Sequence, residues 1–177
     1  MTTRIPRGLP VLGAAALLLA AAAAQAQHYP SKPVRIIIPL GAGGGGDVFT
    51  RAIADELQKS FGQPFVVENR VGASGAIAAE FVAKSPPDGY TLLYSNASFI
   101  AVSPAVLAKM NHDPVKDLTP IAQTAVGGII LMVNKNVPAN NLQELVALVK
   151  ASPNKFSYGT WGEGTSGHLT TEWLKKK

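Results

Sequence analysis

The sequence predicts an α/β fold built on a parallel β-sheet, and three observations carry that expectation. Strand-like and helix-like stretches alternate from Val34 to Tyr94, the first strand is an apolar run rich in β-branched residues, and strand after strand ends in a small-residue loop that opens a helix. A strand, helix, strand, helix, strand succession at this spacing makes a parallel sheet covered on both faces. The order of the strands is left open.

Each element has its own reason. Val34 to Pro39, bounded by Pro33 and a glycine cluster, reads as a buried strand. The following helix carries Val48, Phe49, Ala52, Ile53, Leu57 and Phe61 on the face expected to turn inward, with Asp47 as N-cap and Gly62 as its stop. Phe65 to Glu68 is a second short strand. After the loop "NRVGASG", a helix runs from about Ala76 to Lys84, capped by Ser74. "PPDGY" at Pro86 to Tyr90 is a turn in which proline presets φ and glycine permits a positive one, and it delivers a third strand, Thr91 to Tyr94. Beyond Ser95 the pattern loosens into a loop and a short helix broken at Pro104, then two apolar runs, Ile121 to Val126 and Ile129 to Val133, separated by Gly127 and Gly128. Asn141 caps a helix to about Ala151 with Leu142, Leu145, Val146 and Val149 inward; a short strand at Phe156 to Tyr158 leads through "GTWGEGTSGH" to a last helix starting near His168.

The ends and the composition bound the function. Met1 to Ala26 holds Arg4 and Arg7, an apolar stretch from Val11 to Ala24, and the small-x-small site Ala24-Gln25-Ala26, the layout of a secretory signal peptide cleaved after Ala26. The apolar stretch is shorter than the roughly 20 residues a bilayer span needs. The two arginines are not adjacent, which argues against twin-arginine export of a folded, cofactor-loaded protein. Of the formal charge of +5, two positive charges leave with this segment and three more form the terminal run Lys175 to Lys177. No basic stripe interleaved with aromatics is present, so nucleic acid is not an expected partner. The absence of cysteine excludes disulfides and thiolate chemistry, and His28, His112 and His168 are too far apart for a local metal motif.

Four loops stand at the expected strand ends: Gly41 to Asp47, Gly72 to Gly75, Ser95 to Ser98 and Gly159 to Gly167. In a parallel sheet such loops lie at the carboxyl edge, where ligands bind, and free N–H groups at helix starts suit an anion. Gly41 to Gly46 also fits the dinucleotide pattern G-x-G-x-x-G, with Glu68 about 20 residues on at the end of the second strand, so a Rossmann-like oxidoreductase is the alternative reading. Pro39 at the strand exit and the Asp47 carboxylate beside a pyrophosphate weigh against it. Neither Ser74 in "GASG" nor Ser166 in "GTSGH" sits in a G-x-S-x-G elbow, and no carboxylate is placed to orient His168 as a base.

Taken in order, "YPSKPVRIIIP" at Tyr29 to Pro39, the glycine loop ending in Asp47, "GQPFVVENRVGASG" at Gly62 to Gly75, "PPDGYTLL" at Pro86 to Leu93, "DPVKDLTPIA" at Asp113 to Ala122 and "GTSGHL" at Gly164 to Leu169 resemble the Bug or TctC-like extracytoplasmic receptors of tripartite tricarboxylate transporters. The resemblance covers essentially all of the chain after Ala26. It implies a two-lobed periplasmic-binding-protein architecture of the type II, flytrap kind, with lobe I at residues 27 to 124 and a partial lobe II at 125 to 177. It further implies a small carboxylate ligand held by backbone N–H groups and bridging waters, integral membrane transporter components as partners, no cofactor, a periplasmic location and no catalysis. Carried over position by position, the ligand contacts are Gly43, Gly44, Gly45, Gly46 and Asp47; Ser95, Asn96 and Ser98; and Gly159, Thr160, Gly164, Thr165, Ser166 and His168. Two departures stand out. The first loop has Gly41-Ala42 and Gly46 where the family carries prolines and a hydroxyl residue, which implies a looser loop. Family members also continue for about as much chain again, so 177 residues alone are expected to fold poorly or bind weakly.

Overall fold

A computed structural model describes residues 29–107 and 110–176. The expected signal segment and His28 lie outside the described residues. Three strands form one parallel sheet: β1 (Val34–Ile38), β2 (Phe65–Asn69) and β3 (Thr91–Leu93). Their order is β2-β1-β3, so β1 is central. Its register sets Ile36 against Val67 on one side and Leu92 on the other.

Connections from β1 to β2 and from β2 to β3 run in opposite directions across the sheet. Right-handed crossovers then place their helices on opposite faces. Helix α1 (Gly45–Phe61) puts Ala54 and Leu57 against Ile36, Ile38, Phe65, Val67 and Leu92. Helix α2 (Ala76–Ala83) covers the other face, where the Arg35 guanidinium lies over Phe81 and pairs in a bidentate bridge with Glu68 at 2.6 and 2.8 Å. Val34, Ile37 and Ile38 are fully buried, the pattern of a strand covered on both sides. The 86–90 turn forms as the sequence reading has it, with Gly89 at φ +79°.

Several local expectations are corrected. The buried face of α1 is Asp47, Thr50 and Ala54, while Val48, Phe49 and Phe61 are exposed, because the residues nearest the sheet are those hydrogen-bonded into the preceding loop. Its N-cap is Gly44, not Asp47. The cap of α2 is Gly75 at φ +86°; the Ser74 hydroxyl points elsewhere. Pro104 does not break a helix but sits in the first turn of α3 (Ser103–Val106), where its missing N–H is harmless. Helix α4 (Leu142–Ala151) is capped by the Asn141 side chain, which accepts from Glu144 N at 2.9 Å, yet none of its residues is buried. Helix α5 (Ser166–Lys175) begins two residues before His168.

The apolar runs at 121–126 and 129–133 are unpaired, and Phe156 to Tyr158 forms no strand. A strand needs a ladder partner for its N–H and C=O groups, and none of the described residues supplies one here. Ile121, Val126, Ile130 and Met132 are each about four-fifths exposed or more, which concentrates the uncovered apolar surface in this part of the chain. No helix among the described residues is long and apolar enough to cross a membrane.

Removing bulk from the fully buried centre of β1 tests this packing. Ile37→Ala is expected to lower the unfolding free energy by about 2–5 kcal/mol, the range for such deletions in a close-packed core. Urea unfolding followed by circular dichroism measures it, and a loss below about 0.5 kcal/mol would mean that β1 is not the buried centre.

Candidate functional site at the carboxyl edge of the sheet

Because β1 connects outward to β2 and the chain then returns across it to β3, the order reverses between β1 and β3. Ligands of open α/β sheets bind outside the strand carboxyl ends at such a reversal. The loop after β1 opens α1 there, and the loop after β3 carries Ser95 and Asn96. Phe49 of α1 and Tyr94 at the end of β3 lie with ring centroids 6.3 Å apart, tying the two sides together.

The glycine loop is built from the inside. Gly43 takes φ +78° and donates its N–H to Asp47 Oδ2 at 2.9 Å. Gly44 is extended and caps α1, so Gly45 and Gly46 stand in the first helical turn with no side-chain cap over it. A Cβ on Gly46 would lie 2.3 Å from Leu40 Cδ1, so only glycine fits that approach without displacing Leu40. Asp47 is 3% exposed. Its Oδ1 accepts from Arg51 Nη2 at 3.0 Å and Asn69 Nδ2 at 2.9 Å; its Oδ2 accepts from Gly43 N and from Arg51 Nε at 3.1 Å. The Arg51 fork, the Gly43 amide and Asn69 together hold this carboxyl well below the usual carboxylate range. With four donors on two oxygens, Asp47 has no acceptor site left for a ligand. The Asp47 carboxylate therefore faces the protein.

A second cluster gathers the later loops. Ser98 Oγ and Ser166 Oγ are 2.5 Å apart, and Ser98 Oγ also accepts from Trp161 Nε1 and Ser166 N, each at 3.4 Å. Thr165 is fully buried and donates to Gly162 O at 2.6 Å. Gly164 N donates to His168 Nδ1 at 3.2 Å, so the histidine is a loop-fastening acceptor. Ser103 Oγ donates to Gly164 O at 3.4 Å, and Ser74 Oγ donates to Glu163 O at 2.7 Å. That last bond helps hold Ala73 and Ser74 at φ +46° and +50°, a left-handed conformation worth roughly 1–2 kcal/mol of strain per residue.

The sequence-derived contacts thus fall into groups. Ser98, Gly164, Thr165, Ser166 and His168 come together; Thr160 bonds within its own loop through Gly162, and Gly159 is exposed. Asn96 accepts from Phe99 N at 3.1 Å through its carbonyl and starts the helical turn after it. Ser95 is different: its hydroxyl is buried after β3 with no hydrogen-bond partner among the described residues. Gly43 to Gly46 form the other side, and no hydrogen bond among the described residues joins them to the serine cluster. Arg51, Asn69 and Trp161 were not anticipated. The i, i+4 spacing of Asp47 and Arg51 on a helix was the available signal for the first. Glu68, the ribose ligand of the alternative reading, is occupied by Arg35 and approached by Arg70 at 3.6 Å, which lowers its pKa. Neither a cavity of about 300 Å³ beside α4 nor one of about 350 Å³ beside His112 touches these loops.

A parallel α/β sheet with its loops gathered at the carboxyl edge is compatible with a periplasmic solute-binding architecture, and solved structures of that kind superimpose on it. MatC from Rhodopseudomonas palustris with bound malate matches with a TM-score of 0.71 and 29% identity, over 83% of this chain and 51% of that one. An R. palustris protein solved with adipate matches at 0.72 and 34%, over 83% of this chain and 49% of that one. Protein BugT of Bordetella pertussis is 37% identical over 153 residues, 86% of this chain and 47% of its own length. The family model described as "Tripartite tricarboxylate transporter family receptor" matches residues 49–177, and the chain belongs to that family. It spans about half the length of the curated relatives it matches.

Two outcomes test this geometry. At Gly75 a Cβ would meet Phe99 Cγ at 2.5 Å and φ is +86°, so Gly75→Ala is expected to lower the unfolding free energy by about 1–3 kcal/mol. An unchanged urea midpoint would show that Phe99 is free to move aside. Asp47 and Glu68 both titrate low in the folded chain, so what they contribute is fully present above the unfolded values near 4 and is lost as pH falls through the native ones. Asp47→Asn is therefore expected to flatten the loss of stability below about pH 4, read by urea unfolding across pH 2–7; an equally steep loss would refute the pairing.

Proposed function

We propose that this chain is part of an exported solute-binding receptor that captures a small carboxylate through backbone N–H groups and catalyses no reaction. The observation that supports it best is the reversal point itself. There the first turn of α1 has no side-chain cap, and Ser95 holds a buried hydroxyl with no hydrogen-bond partner among the described residues. The charged side chains nearest the loop, Asp47 and Arg51, neutralise each other. What remains to meet a ligand is a set of amides and hydroxyls at a helix start, a combination suited to a carboxylate.

On this reading Gly43 to Gly46, Ser95 and Asn96 line one lobe, residues 27 to 124, while Ser98 meets the loop of the other, Gly159, Thr160, Gly164, Thr165, Ser166 and His168, from residues 125 to 177. Bridging waters complete the shell. Met1 to Ala26 directs export and is removed, leaving a periplasmic protein that hands its ligand to integral membrane components. The solved neighbours with malate and adipate support a dicarboxylate as the ligand class. The nucleotide reading loses its ribose carboxylate, since Glu68 already pairs with Arg35.

A thermal-shift series separates the two. Malate, adipate, tricarboxylates, acidic amino acids and aromatic acids are each added at increasing concentration, followed by NAD and NADP. An acid bound at 100 times its Kd is expected to stabilise the fold by about 2.7 kcal/mol. Stabilisation by the nucleotides alone would overturn the proposal.

A further inference from the structure

We infer that Asp47, Arg51 and Asn69 are positioning residues of this site: a charge-neutral brace that fixes the direction of the glycine-loop amides without touching the ligand. The last step of that inference rests on the carboxylate reading above; the brace itself rests on the geometry alone.

Residues 41–46 are five glycines and one alanine, the composition with the greatest backbone freedom, and a donor array built from it does not hold its own direction. The three side chains hold it at both ends. Asn69, at the carboxyl end of β2, donates from Nδ2 to Leu40 O and to Asp47 Oδ1, each at 2.9 Å. Its Oδ1 accepts from Arg51 Nη2 at 3.0 Å. Asp47 then reaches back to Gly43 N, the residue before the cap, much as an acidic group in the first turn closes a capping box. The entry to the loop, its midpoint, the first two turns of α1 and the end of β2 are thereby joined in one closed network.

Arg51 supplies what hydrogen bonding alone does not. An ionised carboxylate in the first turn of a helix answers the same positive end that an anionic ligand would seek. Left bare, it would repel that ligand. The bidentate Arg51 fork cancels its charge while leaving its geometry intact. Arg51 is the charged group acting on Asp47, with Gly43 and Asn69 as its uncharged partners. Lysine has the charge but not the fork, so Arg51→Lys is expected to restore the brace only in part.

The test uses the whole polypeptide and three variants, Arg51→Met, Arg51→Lys and Asn69→Ala. Amide hydrogen exchange at Gly43 and carbon-13 titration of the Asp47 carboxyl are followed without ligand; malate and adipate binding are followed by calorimetry. Arg51→Met and Asn69→Ala are expected to speed Gly43 exchange at least tenfold, and Arg51→Met to move the Asp47 titration up towards the ordinary range. Each is expected to weaken acid binding at least tenfold at a temperature where the variant is fully folded, with Arg51→Lys intermediate in every readout; Arg51→Met also lowers the thermal midpoint, because it leaves the Asp47 carboxylate buried without its charged partner. Should Arg51→Met fail to fold, Arg51→Lys and Asn69→Ala carry the same comparison. Unchanged Gly43 exchange, or faster exchange with affinity within twofold of the unsubstituted chain, would overturn the positioning role. If the unsubstituted chain binds neither acid, the carboxylate reading fails, and Gly43 exchange alone then decides the brace.

Discussion

β1 places the sheet and the two helices that cover it. It bonds to β2 on one side and β3 on the other, is covered by a helix on each face, and contributes the fully buried Val34, Ile37 and Ile38. Parallel pairing makes all three strands end at the same edge, so one strand's burial decides where three loops go. The outward and returning crossovers then leave the first and third loops at the ends of neighbouring strands. The binding edge is thus a consequence of core packing, and its chemistry is added by residues that do not belong to the core.

Beyond residue 110 no such ladder is present among the described residues. The run at 129–133 is as apolar as β1, yet Ile130 and Met132, like Ile121 before them, are exposed, and no strand among the described residues pairs with them. Helix α4 has its cap and its apolar stripe and still buries nothing. Local signals therefore suffice for a helix to form but not for it to be covered. The exception is instructive: the 159–167 loop is ordered against the first half, by Ser74, Ser98 and Ser103, through hydrogen bonds rather than by burying an apolar face.

The elements legible in the sequence were those fixed by nearby residues. β1 to β3, the turn before β3, the Gly62 stop and the Asn141 cap all depend on periodicity or on a side chain within a few positions. The inward face of α1 is apolar only farther along: Leu57 packs on the sheet as expected, beside Ala54, while near the loop Val48 and Phe49 stay outside. There Asp47 and Thr50 take the inward place, satisfied by the loop: Thr50 Oγ1 donates to Gly46 O at 2.6 Å and Asp47 accepts from Gly43. Asn69 was invisible as a partner because its role requires β2 to lie beside β1, and strand order is not a local property. The donor loops were found, since small residues at strand ends are conspicuous. Some of the engaged groups in those loops are local, as at Gly43 and Gly164, but the partners of Asn69, Ser74 and Ser98 lie 18 to 89 positions away and are not legible in the sequence.

A receptor of the proposed kind, which must release its ligand, gains from this division of labour. A fixed, unpaired cation at the edge would hold a carboxylate strongly in every conformation, since charge-assisted bonds are about twice as strong as neutral ones. Here the nearby guanidinium is committed to Asp47, and what faces outward is a helix end worth roughly 0.3–1 kcal/mol at a wet surface and more when water is excluded. Attraction of that kind strengthens when loops close over the ligand and fades when they part. On the proposed reading the internal ion pair orders the amides, and by cancelling its own charge it leaves the hold on a ligand to those amides alone.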